Sequence, residues 1–205
     1  MHSIQPDNHD LRIFQKLGRV DAKSMESVDQ LLLILPAKPT KAAFSRLPQG
    51  ARMQAVYRKH DADSTPAFTT RLANKKQTLV VGGTIAPSAS VFEQLSLGRK
   101  LVQAATSQKA GSLGICVTGF DSAVQANLAS NILAAALAAG FKLPAYKSKA
   151  PRDVIKSIRL LGLDNTLDTA RIQAEANGNN LARWLTTLPP NLLDANNYAE
   201  LARTM

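Results

Sequence analysis

Few side chains in this sequence have the types and the spacing that catalysis requires. The three histidines, His2, His9 and His60, lie in polar stretches, and no two of them have the spacing of a metal-binding pair on one helix face. No G-x-S-x-G nucleophile elbow occurs. The single cysteine, Cys116, lies within an apolar run, where a thiol usually packs as an inert group. We therefore expect neither a histidine metal centre nor a nucleophilic triad.

Two pairs of carboxylates are the remaining candidates for acid–base chemistry. Asp61 and Asp63 lie in a loop-like stretch, and Asp164 and Asp168 flank the start of a predicted helix. Acidic side chains at a helix start commonly cap the helix and complement its dipole, and this is the interpretation we favour for the second pair. Nothing in the sequence positions either pair as a general acid and a general base.

The pair Gly82-Gly83 follows an apolar run, at a place where a phosphate-binding loop would be sought. Such a loop needs spaced glycines at a helix N-terminus, together with a lysine or a later acidic residue. The segment 80–90 contains neither a G-K-[ST] nor a G-x-G-x-x-G pattern. We therefore expect the two glycines to form a turn at the end of a strand.

The net charge of +10 comes from 25 lysines and arginines against 15 acidic residues, and it is concentrated in two segments. Residues 30–60 contain six cations and no acid, and residues 142–159 contain six cations and one acid. Such segments can bind polyanions such as nucleic acids, because each neutralised phosphate releases counterions. More commonly, however, a cluster of basic residues is simply a solvated surface. The candidate polyanion contacts are Lys147, Lys149 and Arg152. Only 5% of the residues are aromatic, which argues against a protein that stacks bases.

The size and composition suit a globular protein. The chain has 205 residues, of which 45% are hydrophobic, so one α/β domain, or one domain and the start of another, can bury a core. A lone cysteine excludes an intrachain disulfide. The longest apolar run, residues 132–141, falls short of the roughly 20 residues that cross a membrane, and the first twenty residues do not resemble a secretory leader. We expect a cytoplasmic protein with no membrane partner.

Short apolar runs alternate with helical patterns along the chain. Strands are predicted at residues 28–36, 76–84, 112–120 and 153–163, with weaker candidates at 67–73 and 11–17. Helices are predicted at residues 42–59, 88–107, 122–139 and 165–187, and a last helix begins near Asp194, its apolar pattern continuing to the final residue. This alternation predicts a three-layer α/β fold, with a mixed, mostly parallel sheet, helices on both faces and a long helix after it.

The segment 175–198, EANGNNLARWLTTLPPNLLDANNY, resembles the junction between the domains of the leucyl aminopeptidase (cytosol aminopeptidase) family. In that family a linker helix carries a G-x-N-x-A-R-x-L core and is followed by a P-x-N turn. The matching residues here are Gly178, Asn180, Ala182, Arg183, Leu185, Pro189, Pro190, Asn191 and Tyr198. The chain departs from the family at Thr187, where asparagine is usual, and at Ala195 or Asn196, where proline is usual.

The resemblance implies a macro-domain-like N-terminal domain over residues 1–164, a linker helix and Pro-Pro turn over 165–190, and the start of a catalytic domain over 191–205. Members of the family remove N-terminal residues from peptides, form hexamers, and hold two divalent metal ions, zinc or manganese, in a C-terminal domain. The N-T-D-A-E-G-R-L signature of that domain does not occur in these residues, so no catalytic or metal-binding residue is carried over. We expect this segment by itself to be inactive as a peptidase.

The same resemblance implies roles for residues near the end of the chain. We expect Arg183, Pro189, Pro190 and Asn191 to fix the turn between the two domains, and Trp184 to anchor the linker helix.

Two other functions remain open at this stage. A basic domain of this kind would also suit a module that docks DNA, as some bacterial members of the family do. The other hypothesis is that the chain binds a nucleotide or ADP-ribose, as macro domains do. Only the analogy of fold supports this hypothesis. Its site needs a glycine-rich loop with a nearby aspartate, which Gly82-Gly83 and the segment 111–114 match poorly.

Overall fold

The computed structural model describes residues 11–60, 67–107, 111–141, 143 and 155–204, which form six strands and seven helices. The strands are β1 (Arg12–Leu17), β2 (Gln30–Pro36), β3 (Phe68–Arg71), β4 (Leu79–Ile85), β5 (Ser112–Val117) and β6 (Ser157–Leu163). The helices are α1 (Ala22–Glu26), α2 (Lys41–Ser45), α3 (Gly50–Arg58), α4 (Val91–Ala105), α5 (Ser122–Gly140), α6 (Thr169–Thr187) and α7 (Ala195–Thr204).

The six strands form one sheet in the order β1-β6-β5-β2-β4-β3. Every neighbouring pair is parallel except β3 and β4, which run antiparallel at one edge. In the centre, Leu32 of β2 pairs with Val81 of β4 on one side and with Ile115 of β5 on the other. The mixed, mostly parallel sheet predicted from the alternating elements is confirmed.

The apolar run of β2 is continuous because both faces of this central strand are covered. Leu32 and Ile34 belong to a core shared with α4, α5 and α6, whereas Leu31, Leu33 and Leu35 belong to a second core shared with α1, α2 and α3. Parallel strands covered on both faces characteristically lack polar alternation. Each of these side chains is fully buried, and such burial contributes about 1.5–3 kcal/mol per side chain. The predicted arrangement of helices on both faces of the sheet is thus confirmed.

Capping residues set where the long helices begin. The carboxylate of Asp121 accepts a hydrogen bond from the Val124 amide and starts α5, and Asp168 accepts one from the Arg171 amide and starts α6. The capping interpretation is therefore confirmed for Asp168, whereas Asp164 instead accepts a 2.6 Å hydrogen bond from the Ser122 hydroxyl. Small residues let α4 and α5 approach closely, because a Cβ on Gly98 would lie 2.8 Å from the Cβ of Ala135.

The prediction of a turn at Gly82-Gly83 is wrong. Both glycines lie inside β4, which continues to Ile85. The ring of Phe68 on β3 packs directly over Gly82, where a Cβ would lie 2.1 Å from a ring carbon. The glycine therefore makes room for an aromatic ring on the neighbouring strand rather than bending the chain, a use that strand glycines often have.

The helical pattern predicted over residues 42–59 divides into the two helices α2 and α3. Gln49, between them, has a left-handed backbone with φ of 56°, and a Cβ on Gly50 would lie 1.8 Å from the carbonyl oxygen of Phe44. The chain therefore reverses tightly at this point. The short helix α1 has no counterpart among the predicted elements, because five residues are too few to show a periodic pattern.

By length and composition, α5 is long and apolar enough to cross a membrane. This was not predicted from the sequence, because the prediction rested only on the longest uninterrupted apolar run, residues 132–141. In the structure, its residues Leu128, Ile132 and Leu133 are fully buried in the first core. The helix is also in contact with α4, α6 and the sheet. Within the described residues, α5 therefore packs as the core helix of a globular fold.

Candidate functional site: the helix junction and the basic surface

The residues of the family-like segment lie on α6, which packs along α5. Ile172, Ala176 and Asn180 are buried, and their spacing of four places them on one side of the helix. Ile172 and Ala176 join the core beneath α5. The helix predicted as a linker is therefore attached along part of its length to the α/β domain.

Arg183 binds the C-terminal end of α5. Its Nη1 atom donates hydrogen bonds to the carbonyl oxygen of Ala138 and to Oδ1 of Asn180, each at 2.8 Å. The side-chain amide of Asn180 in turn donates to the carbonyl oxygen of Leu137 at 3.5 Å. The last carbonyl groups of a helix lack partners within the helix and carry partial negative charge. A guanidinium is therefore well suited to this place.

An aromatic pair adds to the same junction. The Trp184 and Phe141 rings meet edge to face with centroids 6.3 Å apart, an arrangement that stabilises beyond the buried area alone. Trp184 is half-buried, and Phe141 is the residue that ends α5. The ring that Trp184 of α6 contacts is therefore Phe141, at the end of α5.

The three turn residues of the motif follow α6. The carbonyl oxygen of Pro189 accepts hydrogen bonds from the amides of Leu192 and Leu193 at 2.9 and 3.1 Å. Pro190 and Asn191 are exposed in this turn. The hydrogen bonds of the Arg183 guanidinium go to Ala138 and Asn180 instead. That these residues fix a turn between two domains stays a prediction.

The final helix, α7, begins where the sequence indicated. Asp194 caps it by accepting a 2.8 Å hydrogen bond from the Asn197 amide. Its apolar residues differ in exposure: Leu201 is 5% exposed, whereas Tyr198 is 53% exposed. Leu201 is therefore packed against the rest of the chain, whereas the Tyr198 side chain is largely open to solvent.

A basic surface lies on and beside α2 and α3. Its cations, all exposed, are Lys38, Lys41, Arg46, Arg52, Arg58 and Lys59. Two described acids that precede this surface in the chain pair with other lysines: Asp21 with Lys16 at 2.6 Å and Asp29 with Lys76 at 3.1 Å. Within the described part of the chain, no salt bridge joins the basic surface to an acid.

The second basic segment is described only in part. The candidate polyanion contacts Lys147, Lys149 and Arg152 lie outside the described residues. The guanidinium of Arg159 lies 4.5 Å from the centroid of the Phe14 ring, so this cation contributes to packing within the sheet through a cation–π contact. Convergence of the two basic segments stays a prediction.

The described residues offer little to a metal ion or a nucleophilic mechanism. No group of three histidine, cysteine or acidic side chains comes together among them. Cys116 is buried, as the sequence predicted, and burial raises the pKa of its thiol to about 12. The thiol therefore stays protonated and inert. His60 is half-buried beside the Phe68 ring, at 6.0 Å between centroids, and Asp61 and Asp63 lie outside the described residues.

Comparison with solved structures identifies the architecture. A mutant of tomato leucine aminopeptidase superposes with a TM-score of 0.72 at 19% identity, covering 98% of this chain and 43% of the tomato chain. The chain has the fold of a leucyl aminopeptidase N-terminal domain. The match agrees with the resemblance carried by residues 175–198.

Two further structures share the N-terminal-domain fold. The leucyl aminopeptidase of Trypanosoma cruzi matches with a TM-score of 0.62 at 14% identity, over 96% of this chain and 41% of the other. The bottromycin maturation enzyme BotP, solved with Mn, matches with a TM-score of 0.57 at 18% identity, over 86% and 36%. The chain thus spans about two fifths of the length of these proteins. In sequence, it matches no protein-family profile and no curated protein.

Proposed function

We propose that this chain is the N-terminal, non-catalytic domain of a leucyl aminopeptidase, a hydrolase that removes N-terminal residues from peptides. The observation that carries the proposal is the asymmetry of the structural match: 98% of this chain corresponds to 43% of tomato leucine aminopeptidase. The role of such a domain is assembly or regulation of the whole enzyme, which we propose to be a homohexamer.

The residues present do not fit the two divalent metal ions proposed for the whole enzyme. Binding two ions calls for several carboxylates with converging oxygens, and no such group occurs among the described residues. Asp121, Asp168 and Asp194 are used as helix caps instead. In this proposal the zinc or manganese ions belong to a separate catalytic domain, and no catalytic step is assigned to the residues of this chain.

The junction of α5 and α6 supports a role in assembly. A helix that continues from the domain while bound to it by Arg183 and Trp184 has a defined direction. A segment that follows α6 would therefore have a defined orientation relative to the sheet, which a flexible linker would not provide. A rigid connection of this kind suits a domain that sets the positions of catalytic domains in an oligomer.

The test compares the 205-residue chain with the complete product of the gene that encodes it. Both are assayed on leucyl-p-nitroanilide with added Mn²⁺ or Zn²⁺, and the mass of each is measured in solution. We expect background rates from the chain and turnover from the complete product. Turnover by the repurified chain would contradict the proposal, and so would a gene product no longer than this chain.

A second function, docking of DNA, is supported by the basic surface. Six exposed cations without an acidic partner in the described residues would contact phosphates at little cost in broken ion pairs. Contact with four to six phosphates corresponds to a log–log salt slope of about −4 to −5. A single module would bind duplex DNA weakly and without sequence preference, with a Kd of about 10⁻⁴–10⁻⁶ M at physiological salt.

Charge reversal tests this second function. In a duplex titration at two salt concentrations, Arg52→Glu with Arg58→Glu should weaken binding and reduce the salt slope by about 2. Arg99→Glu with Lys100→Glu, on exposed positions of α4, makes the same change in net charge away from the basic surface. Lys147→Glu with Arg152→Glu tests the second basic segment. Equal effects of the α2–α3 and α4 variants would mean that the basic surface is merely solvated.

A further inference from the structure

A cavity of about 450 Å³ lies where the chain leaves the carboxyl ends of β1, β5 and β6. In open α/β sheets, ligands bind in crevices at this edge, and the volume is within the range of small-molecule sites. Three glycines with a left-handed backbone line the cavity: Gly18 and Gly119, which come after β1 and β5, and Gly162, the last residue but one of β6. The backbone therefore turns away sharply there and leaves an opening between the loops.

One buried side chain fixes the wall of this cavity. The side-chain amide of Gln125 donates to the carbonyl oxygens of Val117 and Gly162 at 2.9 and 3.0 Å, and its Oε1 accepts from the Asp164 amide at 2.9 Å. Gln125 thus ties the end of β5 to the end of β6 and holds Asp164 in place. The cavity is for this reason a built feature of the fold and not a gap between mobile loops.

The charged groups in the wall are of both signs. Arg19 and Arg46 are exposed residues that line the cavity, and neither has a salt bridge to an acid within the described residues. Asp164 lines it as well, with one carboxylate oxygen bonded to the Ser122 hydroxyl. Val20, Leu47 and Phe120 supply apolar surface between these groups.

We propose that this cavity binds a free α-amino acid with an apolar side chain. The arginines would hold its carboxylate through charge-assisted hydrogen bonds, Asp164 would accept from its ammonium group, and the apolar wall would cover its side chain. A carboxylate in the wall favours a zwitterion over a phosphate ester, whose two negative charges Asp164 would repel. Amino acids are also what an aminopeptidase releases, and that link alone rests on the proposed function.

The deciding experiment measures binding of L-leucine to the 205-residue chain by calorimetry, with no peptidase activity involved. 4-Methylpentanoate lacks the ammonium group and isoamylamine lacks the carboxylate, so each should bind about tenfold or more weakly than L-leucine. The double variant Arg19→Ala with Arg46→Ala should weaken the binding of L-leucine by a similar factor. Arg99→Ala, an exposed cation outside the cavity, should change nothing.

Two variants make the test specific to this cavity. Asp164→Asn should weaken L-leucine binding without weakening 4-methylpentanoate binding, because only L-leucine has an ammonium group that can donate to Asp164, and loss of the negative charge cannot disfavour an anion. Ser45→Phe places a ring in the cavity without changing charge and should abolish binding of both; thermal unfolding of each variant verifies its fold. Absence of L-leucine binding, equal affinities for the three ligands, or affinities unchanged in the Arg19/Arg46 variant would overturn the proposal, whatever the outcome for peptidase activity.

Discussion

The guanidinium of Arg183 on α6 lies 2.8 Å from the carbonyl oxygen of Ala138, in the last turn of α5. The same Nη1 atom also donates to Asn180 on its own helix. This side chain therefore links two helices at residues that are more than 40 positions apart in the sequence. The relationship makes the junction sensitive to a single substitution.

Replacing Arg183 by alanine should lower the free energy of unfolding by about 1 kcal/mol, since a typical intramolecular hydrogen bond contributes that much. Urea denaturation measures the change. Arg171→Ala is the matched control on the same helix. It removes an exposed pair with Glu175 at 3.5 Å and should cost less than about 0.5 kcal/mol. Equal losses of stability in the two variants would contradict a specific contribution of the Arg183 hydrogen bonds.

Two glycines should respond to alanine in opposite directions. Gly82→Ala places a methyl group 2.1 Å from a carbon of the Phe68 ring and should destabilise the fold by about 1–3 kcal/mol through overpacking. Gly178 lies in α6, where an added methyl group would meet no other atom within 4 Å, so Gly178→Ala should stabilise by about 0.5–1 kcal/mol through helix propensity. Thermal or urea unfolding of both variants measures these effects. A neutral Gly82→Ala would mean that the Phe68 ring moves aside easily.

Asp29 should make stability depend on pH in the acid range. Partial burial raises the pKa of its carboxyl, but hydrogen bonds from Ser112 and Lys76 outweigh burial and lower the pKa below 3.8. A carboxyl with a lowered folded-state pKa contributes stability above its unfolded pKa and loses that contribution as the pH falls through the folded value. Acidification from about pH 5 downward should therefore destabilise the native chain more than Asp29→Asn. The free energy of unfolding of both proteins, measured as a function of pH, checks this. An equal loss of stability in the native chain and in Asp29→Asn over that range would refute it.

Cys116 should be unreactive in the folded chain. Its thiol is buried and its pKa is raised to about 12, so the reactive thiolate is scarce at neutral pH. At pH 8, the aromatic disulfide reagent DTNB should leave the native chain unmodified and modify it once urea unfolds it. Rapid modification of the native chain at a rate independent of urea would show that the thiol is accessible.

Much of the fold could be predicted because its signals are local. The apolar runs that became β2 and β5, and the amphipathic or alanine-rich runs that became α4 and α5, show their type within a window of a few turns. Asp121, Asp168 and Asp194 cap helices through atoms three residues away, so their roles also follow from sequence neighbours. The junction motif on α6 could be identified for the same reason, since its residues are contiguous.

Other features depended on contacts between distant segments. Gly82 by itself suggested a turn. It lies in a strand instead, and the Phe68 ring on the neighbouring strand fills the space that a side chain would need. The partner of Arg183 is a carbonyl group on another helix, and no side-chain pattern marks a backbone acceptor. Arg19, Arg46 and Asp164 line one cavity although the sequence separates them widely.

The sequence by itself thus determined the types and caps of the longer elements, because hydrogen bonds and apolar periodicity within an element involve residues only a few positions apart. The tertiary structure alone decided which side chains meet across elements. Packing of helices on both faces of a parallel sheet brings loops from distant positions to the same edge, and the close-packed interior decides which positions must be glycine. For that reason Arg19 and Asp164, which follow β1 and β6, line the same cavity as Arg46, which follows α2.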